Sequence, residues 1–107
     1  MERIIKPVSW TNRAIKDLKK VREFYIEIYG LEKAKQYTQQ IYDATKILEN
    51  PDSDFVKIGA VDDYFSHLKH EYRKIYEHYC KITYREGKDK IYINRVFDMR
   101  QNPKKNK

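Results

Sequence analysis

A chain of 107 residues with 40% hydrophobic side chains can build one small core, and its single cysteine, Cys80, excludes a disulfide framework and fits a reducing compartment. The net charge of +7 is unevenly spread: residues 72–107 hold 11 Lys and Arg against 4 Asp and Glu, whereas residues 1–71 hold 12 of each sign. A polyanion is therefore expected to meet the back third, and nucleic acid, ribosome or an acidic protein segment leads the partners, with a generic basic surface as the bland alternative. The opening MERIIKPVSW is too short and too charged for a signal peptide, and no apolar run approaches a membrane span. A soluble cytoplasmic protein without a membrane partner is expected.

Residues 4–10 mix β-branched and aromatic side chains and predict a short first strand, which Pro7 pushes toward a sheet edge. Thr11 or Asn12 can cap the helix that follows. Ala14, Leu18, Val21, Tyr25 and Ile28 form its apolar stripe, widened by Ile15 and Tyr29, while Asp17, Lys20 and Glu23 are expected off that face. Gly30 supplies a left-handed C′ residue. A second helix begins at once, with Ala34, Tyr37, Ile41, Ala44 and Leu48 on one face, and ends at Asn50-Pro51. So short a connection makes the two an antiparallel hairpin.

Residues 51–63 read as loop, pinned by Phe55, Val56 and Ile58; residues 64–69 fit a short strand or a turn. Residues 72–103 then read as three consecutive strands. Cys80, Ile82 and Tyr84 point one way, and Lys81, Thr83 and Arg85 the other. Residues 86–89 make a hairpin connection. In the last strand, residues 91–97, alternation slips at Arg95, so either a bulge lies near Asn94-Arg95 or the strand is covered on both faces. The order β-α-α-β-β-β gives an α+β fold: an N-terminal helical hairpin on one face of a small, mostly antiparallel sheet. Residues 1–103 would be the domain and residues 104–107 a basic tail. The uncovered face would carry Lys81, Arg85 and some of Arg73, Lys74 and Arg95.

Several chemistries fall away. The chain has 3 glycines and no phosphate loop, and His67, His70 and His78 lack a metal-ligand spacing, so no metal or cofactor is expected. Cys80 stands at an apolar strand position and reads as packing. A basic, tyrosine-rich sheet without a metal can cleave RNA: a cation favours attack by the ribose 2′-OH, arginines neutralise the phosphorane charge, and tyrosines stack bases. It can equally bind an acidic peptide.

Trp10-Thr11, Ala14…Asp17-Leu18, Tyr25…Tyr29-Gly30, Ala34…Ile41…Leu48, Asn50-Pro51, Tyr72-Arg73-Lys74, Ile82-Thr83-Tyr84, Ile91-Tyr92-Ile93 and Val96-Phe97-Asp98-Met99-Arg100 follow in an order that resembles the RelE/ParE superfamily, toxins of type II toxin–antitoxin systems. The resemblance covers nearly all of residues 6–103 and implies the same helical hairpin on an antiparallel sheet. RelE-like members cut messenger RNA in the ribosomal A site without metal; ParE-like members poison DNA gyrase and lack a full nuclease set. On the first pattern Lys81, Arg73, Lys74 and Arg100 would be catalytic, with His78 or a lysine as proton carrier and Arg85 and Arg95 holding nucleic acid. Asp98 stands where many relatives have a basic residue, no tyrosine follows Arg100, and the long hairpin is ParE-like. The resemblance therefore implies a ribosome-dependent endoribonuclease toxin, or alternatively a gyrase inhibitor without catalysis, or a decayed toxin that only binds its antitoxin. A cognate antitoxin is the expected partner in each case. As structural alternatives, Arg73 would pair with an acid such as Asp98, Lys81 would be a solvated strand residue, and Arg100 would contact the chain end or the antitoxin.

Overall fold

The computed structural model of the chain describes residues 6–49, 60–61 and 71–101. Its elements are β1 (Val8–Trp10), α1 (Asn12–Tyr29), α2 (Leu31–Ala44), a 3₁₀ turn (Thr45–Glu49), β2 (Ala60–Val61), β3 (Arg73–Glu77), β4 (Cys80–Glu86) and β5 (Ile91–Asp98). The sheet has 5 strands in the order β1-β5-β4-β3-β2. Among the described strands only the β1–β5 pair is parallel, and the two are far apart in sequence, with both helices and the other strands between them. The expected helical hairpin on a mostly antiparallel sheet is present, and β1 is an edge strand.

Thr11 begins α1. Its Oγ1 accepts from the Ala14 N–H at 3.1 Å and donates to the Ile93 carbonyl at 2.8 Å, so the N-cap also ties the helix to β5. Gly30 alone separates the helices. Its N–H donates to the Ile26 carbonyl and its carbonyl accepts from the Ala34 N–H, both at 3.0 Å. With φ 92° and ψ 167°, it lies outside the left-handed helical well expected of a C′ residue, in a region open essentially to glycine alone. Gly30→Ala is therefore expected to destabilise the protein by about 1–3 kcal/mol through backbone strain. A lowered urea midpoint would check it, since an added Cβ meets nothing within 4 Å and sterics supply no other cause.

The core joins Ala14, Val21 and Tyr25 of α1 and Ala34 and Ile41 of α2 to Cys80, Ile82 and Tyr84 of β4 and Ile91, Ile93 and Val96 of β5. The stripe of α1 needs correcting. Ile15 and Ile28 are exposed, and Asp17, expected off the face, is buried. Asp17 lies three residues after Ala14 and four before Val21, so it shares their face, and an ionic partner on β5 admits it there. The α-helical part of the second helix stops at Ala44, earlier than Asn50-Pro51 suggests. There the Thr45 hydroxyl donates to the Tyr42 carbonyl at 2.7 Å and the last turn tightens to 3₁₀. β2 falls inside the stretch expected to be loop. It is a two-residue pairing on β3, Ala60 with Lys74 and Val61 with Arg73, too short to show alternation. The anchors Phe55, Val56 and Ile58, residues 64–69, and His67 and His70 lie outside the described residues.

The bulge reading of the last strand holds. β5 is central, between β1 and β4, and its register slips so that Thr83 faces Arg95 while Tyr84 faces Ile93. Asn94 is thus the extra residue of a bulge.

Candidate functional site

The register sorts the basic side chains. Cys80, Ile82 and Tyr84 stand opposite Asp98, Val96 and Ile93 on the helix-covered face, and Arg73, Ile75 and Glu77 continue that face onto β3. Lys74, Tyr76, Lys81, Thr83, Arg85, Tyr92 and Phe97 occupy register positions on the other face. That face is not bare, since Thr83 and Phe97 are buried in it. Of the residues expected to form one anion groove, Lys74, Lys81 and Arg85 do share a face. The Arg85 guanidinium lies 4.5 Å from the centre of the Tyr92 ring. Arg73 stands on the opposite side of the sheet and ion-pairs Glu71 at 3.3 Å.

Arg95 is also placed elsewhere. At the bulge its Nε donates to Asp17 Oδ2 at 2.7 Å, and the Val96 N–H donates to the same oxygen at 3.0 Å. The pair lies in a cleft of about 520 Å³ between α1 and β5, whose walls carry both signs: Arg13 and Lys20 with Glu23 and Glu27. Such a cleft offers no uniform cationic track. Arg95 supports the bulge instead of facing an outside ligand.

Arg100 is held by Asp98. Asp98 is fully buried, and each of its oxygens accepts twice. Oδ1 takes the Arg100 backbone N–H at 2.8 Å and Nε at 3.2 Å; Oδ2 takes Arg100 Nη2 at 3.0 Å and the Tyr25 hydroxyl at 2.6 Å. Arg100 Nη1 also donates to the Tyr29 hydroxyl at 2.7 Å. Burial by itself pushes the Asp98 carboxyl up, but the hydrogen bonds from Arg100 and Tyr25 outweigh it and hold the group below its ordinary value. The same bonds raise the Arg100 guanidinium further, and burial with the Asp98 contact raises the Tyr25 phenol. The expected Arg73–Asp98 pairing is replaced by this Arg100–Asp98 clamp, because the turn after β5 brings Arg100 back over the carboxylate two residues earlier.

His78 does lie in the turn between strands, but in an aromatic cluster. Glu77 pairs with Cys80, so His78 and Tyr79 form a two-residue hairpin loop with φ of 50° and 69°. That geometry usually selects Asn-Gly; in bulky residues it costs about 1–2 kcal/mol each. Stacking offsets the strain. The His78 ring lies 4.0 Å from the Tyr37 ring, nearly parallel, and edge-on to Tyr25 at 5.3 Å. Tyr79 covers the Arg100 guanidinium at 4.3 Å. His78 Nε2 is buried without a hydrogen-bond partner among the described residues, a poor position from which to move a proton. Cys80 is buried beneath this cluster, and burial pushes its thiol up to about 12, so it packs as a neutral group. No cluster of metal-ligating side chains occurs among the described residues.

The family model for the ParE toxin of the type II toxin–antitoxin system parDE matches residues 8–103. The chain belongs to the ParE toxin family. Its fold is similar to that of a solved chain from the chromosomal ParDE toxin–antitoxin system of P. aeruginosa, with TM-score 0.70 and 23% identity over 88% of this chain and 96% of that one. No curated protein is significantly similar to it. In this ParE-family toxin no helix among the described residues is long and apolar enough to cross a membrane. The residues that sequence reasoning missed are Asp17 and Tyr37. Asp17 had a signal, its apolar-face spacing; Tyr37 was read only as core, and nothing in its neighbourhood announces that His78 stacks on it.

Proposed function

We propose that this toxin inhibits DNA gyrase by binding, without chemistry of its own, and that a cognate antitoxin restrains it. One observation carries the reading. The cations expected to cleave and to hold nucleic acid do not converge: Arg95, expected to hold the strand, is engaged by Asp17, Arg100 by Asp98, and Arg73 stands across the sheet from Lys74 and Lys81. A phosphoryl-transfer site needs its charges and its proton carrier around one reacting phosphate. Membership of the ParE family points the same way. The second reading, ribosome-dependent cleavage of messenger RNA, draws on Lys74, Lys81 and Arg85 sharing one face.

Induction of the toxin in growing cells separates them. The expected result is trapped gyrase breaks in DNA with intact messages, unchanged in Lys81→Ala. Codon-register cuts that disappear in Lys81→Ala would overturn the gyrase reading in favour of the nuclease.

A further inference from the structure

The end of the sheet where β3 turns into β4 and β5 stops carries a different kind of surface from the basic rows. Tyr76, Tyr79 and Met99 are 55%, 56% and 50% exposed there, high values for large side chains. Tyr79 and Met99 are direct neighbours, since the Met99 N–H donates to the Tyr79 carbonyl at 2.9 Å and extends the β4–β5 ladder by one step, while Tyr76, opposite Lys81, flanks them on the face away from the helices. Arg100 follows Met99, with one face of its guanidinium on Tyr79.

Tyr, Met and Arg are the side chains enriched at the centres of protein interfaces. Arg100 donates from its side chain to Asp98 Oδ1, Asp98 Oδ2 and the Tyr29 hydroxyl. A guanidinium has about five N–H groups, so about two are not used by the described residues and can serve an outside acceptor. The clamp that uses the others also fixes where those two point, so a partner carboxylate would meet a cation already ordered. Charge disfavours nucleic acid at this end: Asp98 neutralises Arg100, and Glu77 lies in the same hairpin, so the tip lacks the uncompensated positive field a phosphate backbone selects.

We infer that Tyr76, Tyr79, Met99 and Arg100 form the surface by which the toxin docks on its protein target. The complementary segment on the target carries a carboxylate for Arg100 beside apolar side chains for the tyrosines and Met99. The inference rests on the target being a protein, as in the gyrase reading. Asp98, Tyr25 and Tyr29 act through Arg100 as positioning residues.

The test uses the full chain with Tyr76→Ala and Met99→Glu together, a change confined to exposed side chains and so expected to leave the melting temperature nearly unchanged. Purified DNA gyrase is the probe, read by inhibition of supercoiling, alongside growth arrest on induction in cells. The expected result is that the double variant needs a concentration higher by roughly thirtyfold or more to inhibit gyrase, the scale of one hot-spot residue, and no longer arrests growth. If the double variant inhibits gyrase as well as the native toxin does, the docking surface is overturned and the gyrase reading stands. If the native toxin leaves gyrase unaffected yet arrests growth, the gyrase reading falls, and the surface stands only if the double variant fails to arrest. Variant-sensitive binding of a single-stranded RNA oligonucleotide, steep in salt, overturns the protein partner. Absence of both activities from the native toxin overturns both. Should the double variant melt early, Tyr79→Asn, which tolerates the positive φ, carries the same expectations.

Discussion

Asp98→Asn is expected to lower stability by roughly 2–3 kcal/mol and the melting temperature by roughly 10–15 °C. The carboxylate is fully buried and completely used, whereas the Arg100 side chain is 32% exposed, so solvent returns part of what the guanidinium loses. What solvent cannot return is the acceptor set. An amide offers one oxygen where the carboxylate accepts on two, and its NH₂ would face either Arg100, which only donates, or Tyr25, whose hydroxyl would have to reverse to accept. The pH dependence distinguishes this from a packing loss. Asp98 is held below its ordinary value of about 3.9, so its stabilisation is fully present above about pH 4 and is lost as pH falls through the folded value. Denaturant melts from pH 7 down to pH 3 should show the native protein losing more stability than the variant, with the gap closing on the acid side. A constant gap across that range would mean that the charge of Asp98 contributes nothing.

Asp17→Ala is expected to be at least as damaging, by about 3 kcal/mol. Arg13, 3.9 Å from Asp17 and 59% exposed, can turn to water, but the other two partners cannot both do so. The Arg95 side chain is only 15% exposed, and the Val96 N–H sits in the bulge with Asp17 Oδ2 as its acceptor. Removing the carboxylate leaves a largely buried cation and a buried donor unsatisfied. Asp17→Asn, which keeps an oxygen for Val96, should fall between. Adding Arg95→Met to Asp17→Ala removes the stranded charge and should recover part of the loss, seen as a urea midpoint above that of Asp17→Ala alone. If the double variant is less stable than the single by the full effect of losing Arg95, the two residues are not coupled and the ion pair is incidental.

The periodicities of the chain carried most of the architecture. A four-and-three stripe from Ala14 to Tyr25, a lone Gly30, a second stripe from Ala34 to Leu48 and alternation through Cys80, Ile82 and Tyr84 are local signals, and each is set by which side of an element must leave water. The bulge was visible too, because Arg95 broke an alternation that Ile91 and Ile93 had begun. The site was less legible. A charge count along the sequence adds residues without regard to which face they take, and the face of Arg73 against Lys74 changes with one residue of register. Nor does a count tell a solvated cation from one already paired. Asp17 in the helix and Arg95 in the strand each sat at an apolar slot with opposite sign, and that coincidence is the one sequence signal that could have joined them.

The sequence alone determined the helical hairpin and the three C-terminal strands, because those rest on repeats and spacings read within one element at a time, and the order of its motifs along the chain carried the resemblance to the family. The tertiary structure alone decided which charges meet. Arg95 goes to Asp17 and Arg100 to Asp98, Tyr25 and Tyr29, while His78 goes into a stack with Tyr37. Except for the turn between Asp98 and Arg100, those partners lie on different elements. Their meeting depends on the crossing of helices and sheet, and a buried charge takes whichever partner the packing brings within hydrogen-bonding reach.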